Sequence, residues 1–159
     1  MFLKNYNHLK NKEIYILIFL FLSSFLVRIP AIFVLGDTSL DNEWNILVNN
    51  LIEHGQFLYS GQLPNIFMPP LYAFYLYFFS IFGLEEQNYV YLILLSQVLL
   101  SSISVSVFYK LNKIFFSQKI SFYGSLLFSL FPLYIYACSQ ISSITLQVFF
   151  TIFFFLFFF

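Results

Sequence analysis

Charge is what this chain has least of: seven Lys or Arg and seven Asp or Glu among 159 residues, with a formal net charge of zero. Soluble domains carry about a quarter charged residues, so a water-facing globular surface is excluded. No basic run interleaves with aromatics, which leaves no basis for a nucleic-acid partner. The single cysteine, Cys138, excludes an intrachain disulfide and reads as a small apolar helix residue. The Walker loop, GxSxG, CxxC and HExxH are all missing. Nucleotide hydrolysis and serine or zinc hydrolase chemistry therefore have no support. Internal repeats and flexible linkers are missing as well.

What fills the chain is apolar: 60% of its residues are hydrophobic and 24% are aromatic, with a mean hydropathy of +0.84. That is the composition of an all-α polytopic membrane protein. Five runs carry it, Ile14 to Leu35, Pro69 to Gly83, Tyr89 to Tyr109, Ile120 to Ala137 and Ser143 to Phe159. A span needs about 20 residues. The first run, although preceded by Lys4, Lys10 and Lys12 like a signal peptide, is too long and lacks a small-x-small cleavage site, so it reads as a retained first helix. The second run is short.

Charge placement decides how the short run lies. Lys4, Lys10 and Lys12 precede the first run and Lys110, Lys113 and Lys119 follow the third, so the positive-inside rule puts both places in the cytoplasm, with an even number of crossings between them. "PPLYAFYLYFFSIFG" is therefore expected to enter the interface or outer leaflet and return. The expected order is a cytoplasmic N-terminus (1–13), a first span (14–35), an outer loop (36–68), a half-buried helix (69–83), a second span (88–109), a cytoplasmic turn (110–119), a third span (120–137) bent by Pro132, and a fourth (143–159). The last run stops inside a helix and would leave a terminal carboxylate at hydrocarbon depth. A truncated product is expected, of the kind a frame slip in a poly-thymine tract would give.

"LDNEWNILVNNLIEHG" in the outer loop has helical periodicity: Leu40, Trp44, Leu47, Val48, Leu51 and Ile52 share one face, with Asn42, Asn45, Asn49, Asn50 and Glu53 opposite. This predicts an amphipathic juxtamembrane helix over 40–54, capped by Thr38 or Ser39, ended by Gly55, and with Trp44 at headgroup level. Asp41 sits at one edge of the apolar stripe; Glu43 and His54 sit near the other. Two readings of the carboxylates stand, helix-dipole compensation or a general base with a pKa raised at the lipid boundary, and spacing does not choose. Arg28 lies about 10 Å from the outer end of the first span, with Pro30 expected to end or kink the helix just beyond and present it at the surface. It reads either as snorkelling outward or as a contact for a lipid phosphate. His54 reads as a helix-end residue, since the other histidine, His8, is expected across the membrane and no two-histidine metal site follows.

Four stretches in order, "LVRIPAIF", "DNEWNILVNNLIEHGQF", "MPPLYAFYLYFFSIFG" and "SLFPLYIYACSQISSITLQ", make the chain from Arg28 onward resemble the N-terminal part of a bacterial glycosyltransferase family. That family is related to the dolichyl-phosphate-mannose protein mannosyltransferases of the GT-C fold, and includes aminoarabinose and rhizobial galacturonosyl transferases. The resemblance implies an inner-membrane enzyme that moves a sugar, with inversion, from a polyprenyl-phosphate carrier to a lipid, glycan or protein acceptor outside the cytoplasm. It implies Asp41 as the base, Glu43 as a second acid, and Arg28, Trp44 and His54 as the substrate-binding set. No cofactor is certain; a divalent metal is possible in the full-length protein. Trp44 stands three residues after Asp41, where the family's aromatic stands four after its acid. Phe67-Met68 and Ile144 occupy places where some relatives carry charged residues. Such relatives are several times longer, so the chain by itself is expected not to be a competent transferase. The alternative is a noncatalytic small multi-pass protein, a transporter or assembly subunit.

Cysteines at Asn45 and Asn112 test the topology. An impermeant thiol reagent added outside is expected to label Asn45→Cys and spare Asn112→Cys; the opposite pattern overturns it.

Overall fold

A computed structural model of the chain describes residues 2–40, 43–60, 63–64 and 68–159, with side chains described for 12–40, 43–59 and 68–159. The elements in chain order are α1 (Phe2–Leu35), α2 (Glu43–His54), β1 (Leu58–Ser60), β2 (Leu63–Pro64), α3 (Pro70–Ser80), α4 (Glu86–Phe115), α5 (Gln118–Ser129), α6 (Pro132–Ser139) and α7 (Ile144–Phe158). It is an all-α membrane protein apart from the short antiparallel β1–β2 ribbon, which the outer-loop reading did not include. Among the described residues, Lys12–Leu35 and Glu86–Phe115 are long and apolar enough to cross a membrane. A third span follows if α5 and α6, bent by 49° between them, are taken as one. The apolar α7 has 15 residues.

α1 and α4 pair antiparallel, and four contacts give the register. Glu13 and Lys113 form an ion pair at 2.9 Å, Ser106 donates its hydroxyl to the Leu17 carbonyl at 3.1 Å, Arg28 Nε donates to Ser101 Oγ at 2.9 Å, and the Phe33 and Tyr91 rings lie 6.3 Å apart. The partner number falls as α1 advances. Glu13 and Lys113 thus share one end of the pair, and the segment from Gly36 to Glu85 connects the two helices at the other. Leu20, Val105 and Tyr109 pack near the first end, while a larger core gathers Leu40, Val48, Tyr72, Leu76, Val90, Ile93, Leu94, Cys138 and Leu146 toward the second.

α3 is too short to cross: at 1.5 Å per residue its 11 residues reach about 16 Å. Pro69 stands at its N-cap and Pro70 in its first turn, where a missing N–H costs nothing. Tyr72, Ala73 and Leu76 are its buried face.

Three boundaries differ from the expectations, and the bend expected at Pro132 is present. α1 continues through Pro30 to Leu35; proline removes one hydrogen bond, but packing against α4 and α6 holds the last turn in line. α4 continues past Tyr109 to Phe115, because Lys113 reaches both Glu13 and the Tyr109 ring, at 5.9 Å to its centroid. The turn expected over 110–119 is therefore only Phe116–Ser117. The third run breaks just before Pro132, since a residue preceding proline is pushed out of the helical region and Phe131 is extended, at φ −68° and ψ 118°. Finally, Leu40 precedes α2, whose described residues begin at Glu43, the cap expected from Thr38 or Ser39 would act on residues outside the described ones, and Ile52, expected on the apolar face, is 52% exposed.

Gly36 ends α1 by donating its N–H to the Ile32 carbonyl at 3.0 Å, and a Cβ there would come within 2.1 Å of that oxygen. Gly36→Ala is expected to lower stability by about 1–3 kcal/mol, read as a lower midpoint in thermal unfolding of the protein in lipid nanodiscs. An unchanged midpoint would show that the turn relaxes freely.

Candidate functional site

The end of the bundle where α2, α3, the start of α4 and the α6–α7 turn meet holds the polar groups with chemical potential. α2 is anchored there by Leu47, Val48 and Leu51, which are buried. Ala73, Phe57, Tyr59, Met68 and Tyr77 pack around Leu47 and Leu51. Trp44 sets its ring edge-on to Tyr72, with centroids 4.7 Å apart at 73°. Trp44 is half-buried, with the stacked tyrosines of α3 as its partner.

A hydrogen-bonded chain runs beneath α2. Tyr72 donates its hydroxyl to Gln97 Oε1 at 3.3 Å, Gln97 Nε2 donates to the Gln140 carbonyl at 2.9 Å, and Gln140 Nε2 donates to the Leu35 carbonyl at 2.5 Å. Asp37 completes it: its Oδ2 accepts the Ile141 N–H at 2.7 Å and its own N–H donates to the Ser139 carbonyl at 3.2 Å. Burial, followed by the neighbouring Tyr75 and Tyr89 phenols and the Asp37 carboxylate, pushes the Tyr72 phenol far above its usual range. Tyr72 is therefore a neutral donor. None of these residues was singled out from the sequence for a site. The available signal was Gln97, the amide in an otherwise apolar or hydroxyl-bearing span, which is a candidate by default.

Of the residues the sequence did single out, Asp41 lies outside the described residues. Glu43 is exposed in the first turn of α2. His54 is exposed in the last turn, with its ring 3.9 Å from the Glu53 carboxylate. It sits at the far end of α2 from Glu43, about 16 Å along the axis.

Arg28 is fully buried, which corrects the expectation of a surface-presented guanidinium. Besides its bond to Ser101, Nη1 donates to the Ser129 carbonyl at 2.9 Å, to the Ser24 carbonyl at 3.2 Å and to the Ser24 hydroxyl. Nη2 and the Ser129 hydroxyl are buried without a partner among the described residues. The physical reason is that α1 does not break at Pro30, so Arg28 stays about 10 Å below the helix end, and the bend between α5 and α6 frees the Ser129 carbonyl for it. Arg28 and the α2 residues are thus not brought together.

Between α2, the end of α3 and the start of α4 lies a cavity of about 420 Å³. Asn45 and Asn49 line it from α2, bonded to each other at 2.9 Å. Ser80, Glu86 and Tyr89 line it from the other side. Residues 29–109 contain no Lys or Arg, and among the described residues that line the cavity the charged one is Glu86. Among the described residues, no group of three His, Cys, Asp or Glu is placed to hold a metal ion. No family model, curated protein or solved structure matches the chain.

The burial of Arg28 makes a stability prediction. Arg28→Leu strands the Ser129 carbonyl and the Ser24 and Ser101 hydroxyls, and is expected to cost about 2–4 kcal/mol, seen as a lowered unfolding midpoint in nanodiscs. A guanidinium acting only on an external phosphate would leave that midpoint in place.

Proposed function

We propose that the chain carries the first-loop region of a membrane glycosyltransferase that uses a polyprenyl-phosphate-linked sugar, with Asp41 as its base and the 36–85 end facing the extracytoplasmic side. The observation that carries this reading is an acid-bearing amphipathic helix seated on the membrane bundle directly after the first span: α2 is buried along Leu47, Val48 and Leu51 while Glu43, Glu53 and His54 stay exposed. An isoprenoid carrier stays in the bilayer, whereas its sugar and the acceptor hydroxyl must meet at the polar edge. The order of the four sequence stretches supports the same reading.

In the proposed step, the Asp41 carboxylate takes the proton of an acceptor hydroxyl, the oxygen attacks the anomeric carbon, and the bond to phosphate breaks with its electrons on the leaving lipid phosphate. Such a leaving group needs little acid assistance. That suits a loop region holding no Lys or Arg. One observation favours the noncatalytic alternative, namely that the cation assigned to the donor phosphate, Arg28, is committed to serine oxygens inside the bundle.

The test is complementation of a deletion strain, read by mass spectrometry of membrane lipids and cell-surface glycans. The wild-type gene is expected to restore a missing glycosyl unit, and Asp41→Asn, at equal protein level, is expected to slow transfer about 10²–10⁴-fold. Full transfer by Asp41→Asn would overturn the assignment, and Glu43→Gln alongside it would then show whether the second acid is the base.

A further inference from the structure

The cavity between α2, α3 and α4 has a selective chemistry. Its polar wall consists of the Asn45 and Asn49 carboxamides, the Ser80 hydroxyl and the Glu86 carboxylate. Its apolar wall includes Val48, which is 1% exposed, together with Ile52, Leu84 and the ring of Tyr89. Several of the polar atoms are already oriented by the protein. Asn49 Nδ2 bonds Asn45 Oδ1, Ser80 donates to the Tyr77 carbonyl at 2.7 Å and so turns its lone pairs outward, and Glu86 Oε1 accepts the Leu40 N–H at 3.4 Å. Tyr89 donates its hydroxyl to the Leu76 carbonyl at 2.9 Å, which leaves its ring as an apolar surface.

The ligand class follows by elimination. A phosphate or carboxylate finds no cation here and would face Glu86 at close range, which is repulsive. A hydrocarbon chain would strand two carboxamides and a carboxylate, each costly to desolvate unpaired. Among the described residues no group of three His, Cys, Asp or Glu stands here to hold a hard divalent cation. What remains is a compact molecule with hydroxyls around its edge and a C–H face. Carboxamides offer both donors and acceptors to such hydroxyls, and the volume lies within the range of small-molecule sites, about 300–1,000 Å³.

We propose that this cavity binds an uncharged hydroxylated ring, a neutral glycosyl unit. As the sugar of the transfer reaction the inference rests on the function proposed above; as a binding site it is tested on its own. A free glycan and a glycolipid headgroup share this chemistry, and the experiment separates them.

The full chain is placed in phosphatidylcholine nanodiscs free of glycoside detergent. One arm adds soluble methyl hexosides and reads saturation-transfer NMR from protein to sugar; the other incorporates a neutral monohexosyl diacylglycerol and reads the fluorescence of Trp44, the chain's one tryptophan and the neighbour of Asn45. Saturable binding in the first arm supports a free glycan, and a response confined to the second supports a headgroup. Asn45→Leu with Asn49→Leu is expected to weaken binding at least tenfold, about 1.4 kcal/mol or more. Leu84→Trp, which fills the exposed mouth from the opposite side, should do the same in the NMR arm and covers the case in which the double variant misfolds. Absence of saturable binding in both arms, equal binding by the cavity variants, or competition by inorganic phosphate overturns the site. Loss of transfer in Asp41→Asn without hexoside binding would leave the transferase reading intact and remove only this cavity. Binding with unaffected transfer would do the reverse.

Discussion

Inside a bilayer there is no water to satisfy a backbone carbonyl or N–H freed where a helix stops, and this constraint organises the chain. α5 ends at Ser129 because Pro132 forces Phe131 out of helical geometry. Its exposed carbonyl is met by Arg28, reaching across from α1. α1 ends at Leu35, and that carbonyl is met by Gln140. The Gln140 carbonyl, freed between α6 and α7, is met by Gln97 from α4. The Ile141 N–H is met by Asp37, and the Leu40 N–H by Glu86. At each of these places a polar side chain from elsewhere in the chain meets the freed group.

These pairings also determine where the helices sit. Arg28 is the central one, since a buried cation is tolerated only when oxygen dipoles replace its hydration, and Ser24, Ser101 and the Ser129 carbonyl come from α1, α4 and α5. Satisfying them together fixes the height of three helices relative to one another. Above that level the Asp37 and Gln140 bonds tie the end of α1 to the α6–α7 turn. α2 then comes to rest on α3 through Trp44 and Tyr72, which opens the cavity along its Asn45–Asn49 edge. A polar network of this kind rigidifies a bundle whose apolar surfaces are nearly as content in lipid as against each other.

Much of the fold was legible because its signals are local. Hydrocarbon-length apolar runs, a Pro-Pro helix start and the apolar face of α2 all follow from residues close in sequence. The boundaries that differed depend on distant partners: Lys113 extends α4 because Glu13 lies opposite it, and α1 passes through Pro30 because α4 and α6 pack along it. The candidate site was less legible. Arg28 looked like a surface cation because it is a charge near a span end, while its acceptors lie 73 and 101 residues away in the chain. Asp37 gave no signal, since a carboxylate beside a helix end is ordinary until the α6–α7 turn is found against it.

The amino-acid sequence by itself determined that the chain carries membrane-length apolar helices and that the segment after the first of them is an amphipathic helix, because hydropathy and periodicity are properties of neighbouring residues. Only the tertiary structure decided the register of α1 on α4, the burial of Arg28 and the existence of a cation-free polar cavity beside α2. Those depend on which backbone groups go unpaired at each helix end and on which remote side chain is long enough to reach them.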